Sequence, residues 1–352
     1  MPPRTLRIID ANCNRISEGL RLLEDIARFL LNDANLSQQF KTMRHGLVDS
    51  LSRLGTDLLS QRNSEADVGA SIGSASRRQD LPSIATANAK RAEEGFRVIE
   101  ELARLPEMST VLHSKDFQRA RFNLYALERD LLSKLLRQDK LAQLRGLYVI
   151  IDTQVLAPKD GVEAADEAVH GGAKIIQLRD KRHDKGELLA IAQKLRDLCC
   201  KSGALFIMND HLDIALAVGA DGLHIGQTDL PLAVVRKELP VDKIVGCSAR
   251  TSGQAQRAQA EGADYVAVGS IFPSPTRKDA TVIGVERLRQ IRQAISVPLV
   301  AIGGINRDNI AEVMAAGADS AAVISAVLAE KNIQRATRRL VKAIEQGIDK
   351  HR

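Results

Sequence analysis

Residues 147–152 read Leu147-Tyr148-Val149-Ile150-Ile151-Asp152, five apolar side chains in succession closed by a carboxylate. A strand with one wet face would carry a polar residue at every second position. A run that is apolar throughout describes a strand covered on both faces, the condition of a parallel sheet flanked by helices. Comparable runs return at 173–179, 204–209, 222–226, 243–247, 265–272, 298–304 and 320–327. Segments of helical spacing separate them, for example 186–202 and 285–295. Eight strand–helix units over about 200 residues are the arithmetic of a (β/α)8 TIM barrel, here residues 146–352. A doubly wound sheet is the alternative, but no G-x-G-x-x-G follows the first strand to support it.

Upstream the pattern changes. Residues 1–140 hold no convincing strand, and Ile16, Leu20, Leu23 and Ala27 fall on one helix face. This part also repeats itself. IIDANCNRISEGLRLLEDIARFLL (8–31) and IATANAKRAEEGFRVIEELARLP (84–106) align at an offset of 76. Asn12 then meets Asn88, Arg15 meets Arg91, Glu18 meets Glu94, Gly19 meets Gly95, Arg21 meets Arg97 and Glu24 meets Glu100. Phe40 and Arg44 match Phe117 and Arg121 one residue further on. The fold class is therefore α/β, with a C-terminal barrel preceded by an all-α domain built from a duplicated helical hairpin. The Gly- and Ser-rich DVGASIGSAS reads as part of the loop joining the two copies.

At 352 residues, with 44 % apolar and 27 % charged side chains, the chain can bury a full core and is not a disordered one. No apolar run approaches the length of a membrane span, and the first residues lack the apolar stretch of a signal peptide. Four cysteines without metal or disulfide spacing fit a reducing, cytoplasmic setting. The net charge of +6 divides evenly, +3 in residues 1–140 and +3 in the rest. Aromatics are 3 % and Trp is absent, so neither the basic stripe nor the stacking rings of a nucleic-acid surface are present. Small anionic molecules are the expected partners, and homo-oligomerisation stays open.

Polar residues gather where barrel active sites lie, after the strands. Arg179 and Lys181, two apart on an extended segment, share a face, and Arg277 and Lys278 add charge from another loop. Convergent cations suit a polyphosphate, although loop charges can simply be solvated. Asp210 and Asp229 end adjacent strands, so their carboxylates could meet at one Mg²⁺; Asp210 could equally cap the helix after it. Gly303-Gly304 and Ser325 match the usual phosphate-binding turns of a barrel, or are merely tight turns. His224, inside GLHIG, reads equally as a packed core residue. No Ser-His-Asp set or lysine nucleophile is evident. Anion clamps without a base suggest a reaction in which diphosphate leaves and little proton transfer is needed.

LYVIID, QLRDK, DGLHIGQTD, GCSAR, GSIFPSPTRKDA, AIGGI and AVISA, in this order, resemble thiamine phosphate synthases over residues 146–345. The resemblance implies that a hydroxymethylpyrimidine diphosphate loses diphosphate to leave a pyrimidine-methyl cation, which the ring nitrogen of a thiazole phosphate attacks. It implies Gln177 and Asn209 beside the aminopyrimidine or its diphosphate, and Arg179, Lys181 and Ser248 on the diphosphate. Asp210 and Asp229 would hold Mg²⁺. Ser274, Thr276 and Arg277 stand where the family has P-T-x-T-K, with Lys278 an alternative to Arg277 for the family's lysine. Gly304, Ile324 and Ser325 would hold the thiazole phosphate through main-chain N–H groups.

IIDANCNRISEGLRLLEDIARFLLND (8–33), with KTMRH and ADVG further on, resembles a helical domain that precedes some of these synthases and is associated with hydroxymethylpyrimidine-phosphate kinase activity. It implies ATP as a second cosubstrate, and a site among Asn12, Arg15, Glu18, Arg44, Asp67, Asn88, Arg91, Glu94 and Arg121. No Walker A pattern is present. The alternative for this half is an oligomerisation or partner-docking module.

Overall fold

The computed structural model describes residues 3–60, 80–156, 159–274 and 281–349. Contacts divide the chain into two units, Met1–Leu136 and Arg137–Arg352. No helix among the described residues is long and apolar enough to cross a membrane.

The first unit is helical. It comprises α1 (Pro3–Asp25), α2 (Ala34–Leu51), the short α3 (Gly55–Ser60), α4 (Leu81–Leu102) and α5 (Ser114–Gln143). Local chemistry sets where the helices begin. The Asp33 carboxylate accepts from the Leu36 amide at the start of α2. Asp80 and Ser83 form a reciprocal capping box at the start of α4. Ile9, Ile16, Leu20 and Leu23 of α1 and Ala85, Ala89, Ala92, Phe96 and Ile99 of α4 are buried in one core.

The internal repeat appears in three dimensions as paired contacts. α1 and α4 cross where each carries its glycine. A Cβ on Gly19 would lie 2.7 Å from the Asn88 carbonyl oxygen, and one on Gly95 would lie 2.6 Å from Ile16 and 3.3 Å from the Asn12 carbonyl oxygen. Glycine is required there because nothing larger lets the backbones approach. Each copy is tied by the same ion pair. Arg44 of α2 reaches Glu24 of α1 at 2.9 Å, and Arg121 of α5 reaches Glu100 of α4 at 3.1 Å. Both carboxylates are buried, and Glu100 also receives Arg97 and Arg104.

The division between units falls inside α5, between Leu136 and Arg137. The physical reason lies in the last turns of that helix. Arg137 pairs with Asp264 at 2.9 Å, Lys140 donates to the Asp242 carbonyl at 2.8 Å, and Leu144 belongs to the barrel's interior cluster.

The second unit is the expected barrel. β1 (Gly146–Asp152), β2 (Ile175–Arg179), β3 (Leu205–Asn209), β4 (Gly222–Ile225), β5 (Ile244–Ala249), β6 (Tyr265–Val268), β7 (Leu299–Ile302) and β8 (Ser320–Val323) close in sequence order, all parallel. The apolar runs read from sequence overshoot at β6, β7 and β8. There Ile271 is buried in a loop, Gly303 begins a turn, and a short helix starts at Ser325. Alternation sorts the side chains. Leu147, Val149 and Ile151 pack outward against helices, whereas Tyr148 and Ile150 join Ile175, Ile207, Ile244, Tyr265 and Val300 inside.

A large ring inside a narrow barrel needs a small neighbour. Tyr265 lies directly across from Gly246, and any Cβ on Gly246 would overlap the tyrosine ring. Tyr265 is fully buried and cannot swing away. Gly246→Ala should therefore destabilise the protein by about 3 kcal/mol, at the upper end of overpacking costs. Urea denaturation measures it, and a loss below half that value would mean the interior yields more than this geometry implies.

Candidate active site

The barrel's mouth is a cavity of about 770 Å³. Strands β1 to β7 contribute through their last inward positions, and Ile324 follows β8. Asp152 and Arg179 are register partners on β1 and β2, and the Arg179 guanidinium meets the fully buried Asp152 carboxylate at 2.5 Å. The pairing fixes the direction of Arg179 while leaving donors over, since a guanidinium has five. Two residues on, the Lys181 ammonium sits 2.6 Å from Asp210 Oδ2.

Between them, Asp180 turns away and pins the loop. Its Oδ1 accepts from the amides of Arg182 (2.8 Å) and His183 (2.9 Å), and its Oδ2 lies 2.6 Å from the His183 ring. Burial alone would raise this carboxyl, but the bonds from His183 and Arg182 prevail and bring it down to about 2.

Asp210 and Asp229 face one another. Asp210 follows β3 at φ +61°, a left-handed conformation that short polar side chains tolerate. Asp229 Oδ2 accepts from the Gly226 amide at 2.7 Å. Burial, then the nearby Asp210 carboxyl, hold Asp229 above the usual carboxylate range, against the opposing Gly226 bond and Lys181 charge. Two carboxylates pressed together at a cavity wall are residues that could hold a cation. No third His, Cys, Asp or Glu joins them among the described residues. That donor set suits Mg²⁺, which commonly takes one or two carboxylates and fills its shell with phosphate oxygens and water.

Deeper in the wall, His224 Nε2 lies 2.9 Å from Ser248 Oγ. Burial pushes the His224 imidazole down to about 4, the more distant Asp229 charge opposing only in part. On the far side, Gly303 and Gly304 have φ of +101° and +66°, and a Cβ on either would strike Ser270 or the Phe272–Pro273 backbone. Close packing against the loop after β6 is what requires glycine at both positions, and Gly303 lines the cavity.

Of the residues expected from sequence, Gln177, Arg179, Lys181, Asn209, Asp210, Asp229, Ser248, Ser274 and Ile324 line this one cavity. Gly304 and Ser325 stand one residue past the walls formed by Gly303 and Ile324. Thr276, Arg277 and Lys278 lie outside the described residues, as does Asp67. Sequence reading missed Asp152 and Arg250, which also line the cavity. Asp152 was visible only as the carboxylate closing an apolar strand, opposite a strand that ends in arginine.

The helical unit has a cleft of its own, about 420 Å³, where α1 crosses α4. It is lined by Asn12, Arg15, Glu18, Gly19, Asn88, Arg91, Glu94, Gly95 and Val98. The two asparagines are held alike: Asn12 Nδ2 donates to the Ile8 carbonyl and Asn88 Nδ2 to the Ile84 carbonyl, both at 2.8 Å. Arg44 and Arg121 are not among its walls. They were expected to line a site, and instead they bond to Glu24 and Glu100.

Comparison with known proteins agrees with both halves. A family model described as thiamine monophosphate synthase matches residues 147–327, and one described as the ThiD2 family matches residues 7–130. A thiamine-phosphate synthase of Thermosynechococcus vestitus is 38 % identical over 348 residues, covering 98 % of this chain and 96 % of that protein. One from Methanospirillum hungatei is 50 % identical over 196 residues, 55 % of this chain and 95 % of its own length. The solved thiamine phosphate pyrophosphorylase of Pyrococcus furiosus superposes with a TM-score of 0.55 at 42 % identity, over 59 % of this chain and 99 % of that one.

Asp180 gives a pH test of the loop. Its carboxyl is depressed in the folded state, so the stability it contributes is present above the unfolded value near 3.8 and is lost as pH falls toward 2. Asp180→Asn should cost about 2 kcal/mol at pH 7, and the gap from the parent should close between about pH 4 and 2. A pH-independent gap in urea titrations would show that the carboxylate's charge is not what holds the loop.

Proposed function

Because the chain belongs to the thiamine monophosphate synthase family and is a transferase of that kind, we propose a specific course for its reaction at the barrel mouth. A hydroxymethylpyrimidine diphosphate binds with its diphosphate between Arg179, Lys181 and Ser248, and with its ring beside Gln177 and Asn209. Arg277, with Lys278 as the alternative, clamps the same group from the loop after β6. The thiazole phosphate lies across the mouth, its phosphate on the main-chain N–H groups at Gly304, Ile324 and Ser325 and beside Ser274 and Thr276. Asp210 and Asp229 would hold Mg²⁺, and the chemistry it would supply there is positive charge beside the diphosphate.

The chemistry is dissociative substitution. The C–O bond to diphosphate breaks with its electron pair, the pyrimidine-methyl cation remains, and the thiazole nitrogen lone pair closes the new C–N bond. No proton must leave the nucleophile, so no base is required. What the chain's residues do is hold charge in fixed places before it develops. The observation that carries this reading is the pairing of fixed cations with facing carboxylates: Arg179 on Asp152, Lys181 on Asp210, and Asp229 pressed against Asp210.

For the helical unit the same proposal assigns an ATP-dependent kinase that makes the diphosphate from hydroxymethylpyrimidine phosphate, at the cleft of Asn12, Arg15, Glu18, Asn88, Arg91 and Glu94. Six residues from two repeat copies around one opening support it. A cytoplasmic enzyme acting on small phosphorylated substrates is consistent with both assignments.

Two measurements test these assignments. Asp229→Ala should lower metal-dependent condensation by about 100-fold or more, in the range for losing one preorganised electrostatic group; an unchanged rate removes the Mg²⁺ assignment. The full chain, given ATP, Mg²⁺ and the pyrimidine monophosphate without thiazole phosphate, should accumulate the diphosphate on chromatography. The double variant Arg15→Ala, Arg91→Ala should lose that product yet still condense supplied diphosphate. No product from a parent chain that condenses supplied diphosphate would leave the helical unit a structural or docking module.

A further inference from the structure

Four side chains form one unbranched line through the barrel interior. The Tyr148 hydroxyl lies 3.1 Å from the Tyr265 hydroxyl, and the latter lies 3.2 Å from His224 Nδ1. On the other side of the ring, His224 Nε2 lies 2.9 Å from Ser248 Oγ. Both tyrosines are buried, with Tyr148 2 % and Tyr265 0 % exposed, and neither lines the cavity, whereas His224 and Ser248 both do. The proposed reaction uses Ser248 and leaves the other three without a role.

We propose that His224 is a positioning residue, held by Tyr148 and Tyr265 as its Nε2–H tautomer, and that this fixes the Ser248 hydroxyl as a donor into the cavity. Counting protons gives the direction. A neutral imidazole and three hydroxyls carry four N–H or O–H protons, and the line contains three hydrogen bonds. One proton is left over.

If the bonds ran from Ser248 toward Tyr148, that proton would sit on Tyr148 at the barrel floor. Among the described residues the Tyr148 hydroxyl has no hydrogen-bond partner but Tyr265, and the buried Ser320 hydroxyl bonds to nothing, so it does not reach Tyr148. If the bonds met at Tyr265, its own proton would be stranded instead. A buried hydroxyl without an acceptor is costly, whereas a proton on Ser248 meets water or an anionic oxygen in the cavity. The remaining arrangement runs one way. Tyr148 donates to Tyr265, Tyr265 donates to His224 Nδ1, and His224 Nε2–H donates to Ser248 Oγ. The Ser248 proton is then free to point at the ligand. No carboxylate hydrogen-bonds to the ring in this line, and burial outweighs the Asp229 charge that would favour a second proton.

The positioning role rests on the reading above that Ser248 meets the departing diphosphate. The tautomer does not, and the two are tested separately. Long-range ¹H–¹⁵N spectra of the full chain with ¹⁵N-histidine report each ring's tautomer, and His224→Gln identifies the signal among the seven histidines. The expected result is one neutral Nε2–H form. An Nδ1–H form or an imidazolium at neutral pH overturns the proposal.

Tyr265→Phe keeps the ring but removes the donor to Nδ1. It should mix the tautomers and lower kcat about tenfold, with KM for the thiazole phosphate unchanged. An unchanged tautomer and an unchanged kcat in that variant also overturn the proposal. Ser248→Ala separates the two failures. If its kcat equals the parent's, the diphosphate contact assigned to Ser248 is wrong, and the positioning role falls with it even where the tautomer is the expected one.

Discussion

The pleat of eight parallel strands closed on themselves decides which side chains can take part in chemistry here. Successive residues point to opposite faces of a strand, and in a closed barrel one of those faces is the interior. Along β1 the inward series is Tyr148, Ile150, Asp152, and along β2 it is Ile175, Gln177, Arg179. Each series climbs from an apolar floor to a polar mouth. The floor excludes water, which strengthens every charge interaction above it. The mouth therefore holds paired charges: Arg179 on Asp152 and Lys181 on Asp210, with Asp229 alone left facing a like charge. Such pairs keep guanidinium and ammonium groups in place before any ligand arrives, so little reorganisation is needed when negative charge develops.

The same pleat explains why the barrel and most of its mouth can be read from residues. Strands buried on both faces must be apolar throughout, so they stand out as runs such as LYVIID. The polar residues that break each run must then lie at the ends. Where the loop itself is packed, the rule blurs. Ile271 is as buried as any strand residue, and the run at 265–272 extends past the real end of β6 at Val268. Asp152 escaped notice for the opposite reason. It sits in a run that already reads as strand, and its importance comes from Arg179, 27 positions away, being its register partner. His224 is the extreme case. Its sequence neighbours say only that it is buried, and its orientation depends on two tyrosines and a serine from three other strands.

In the helical unit, duplication made residues legible without making their roles so. A residue kept in both copies is kept for something, but packing and ligand binding leave the same mark in an internal alignment. Three-dimensional position separates them by a simple criterion. Matched residues that find each other within a copy are structural, as with Glu24–Arg44 and Glu100–Arg121, whose buried carboxylates would be costly to leave unpaired. Matched residues that face the same opening from both copies are candidates for a ligand, as with Asn12, Arg15 and Glu18 against Asn88, Arg91 and Glu94. The crossing at Gly19 and Gly95 links the two classes. Close approach of α1 and α4 at that point brings the two asparagine backbones against the opposite helix, and so sets their flanking arginines and glutamates around one cleft. A substitution that widened the crossing would therefore alter the cleft from both sides at once, whereas loss of one ion pair would loosen a single hairpin.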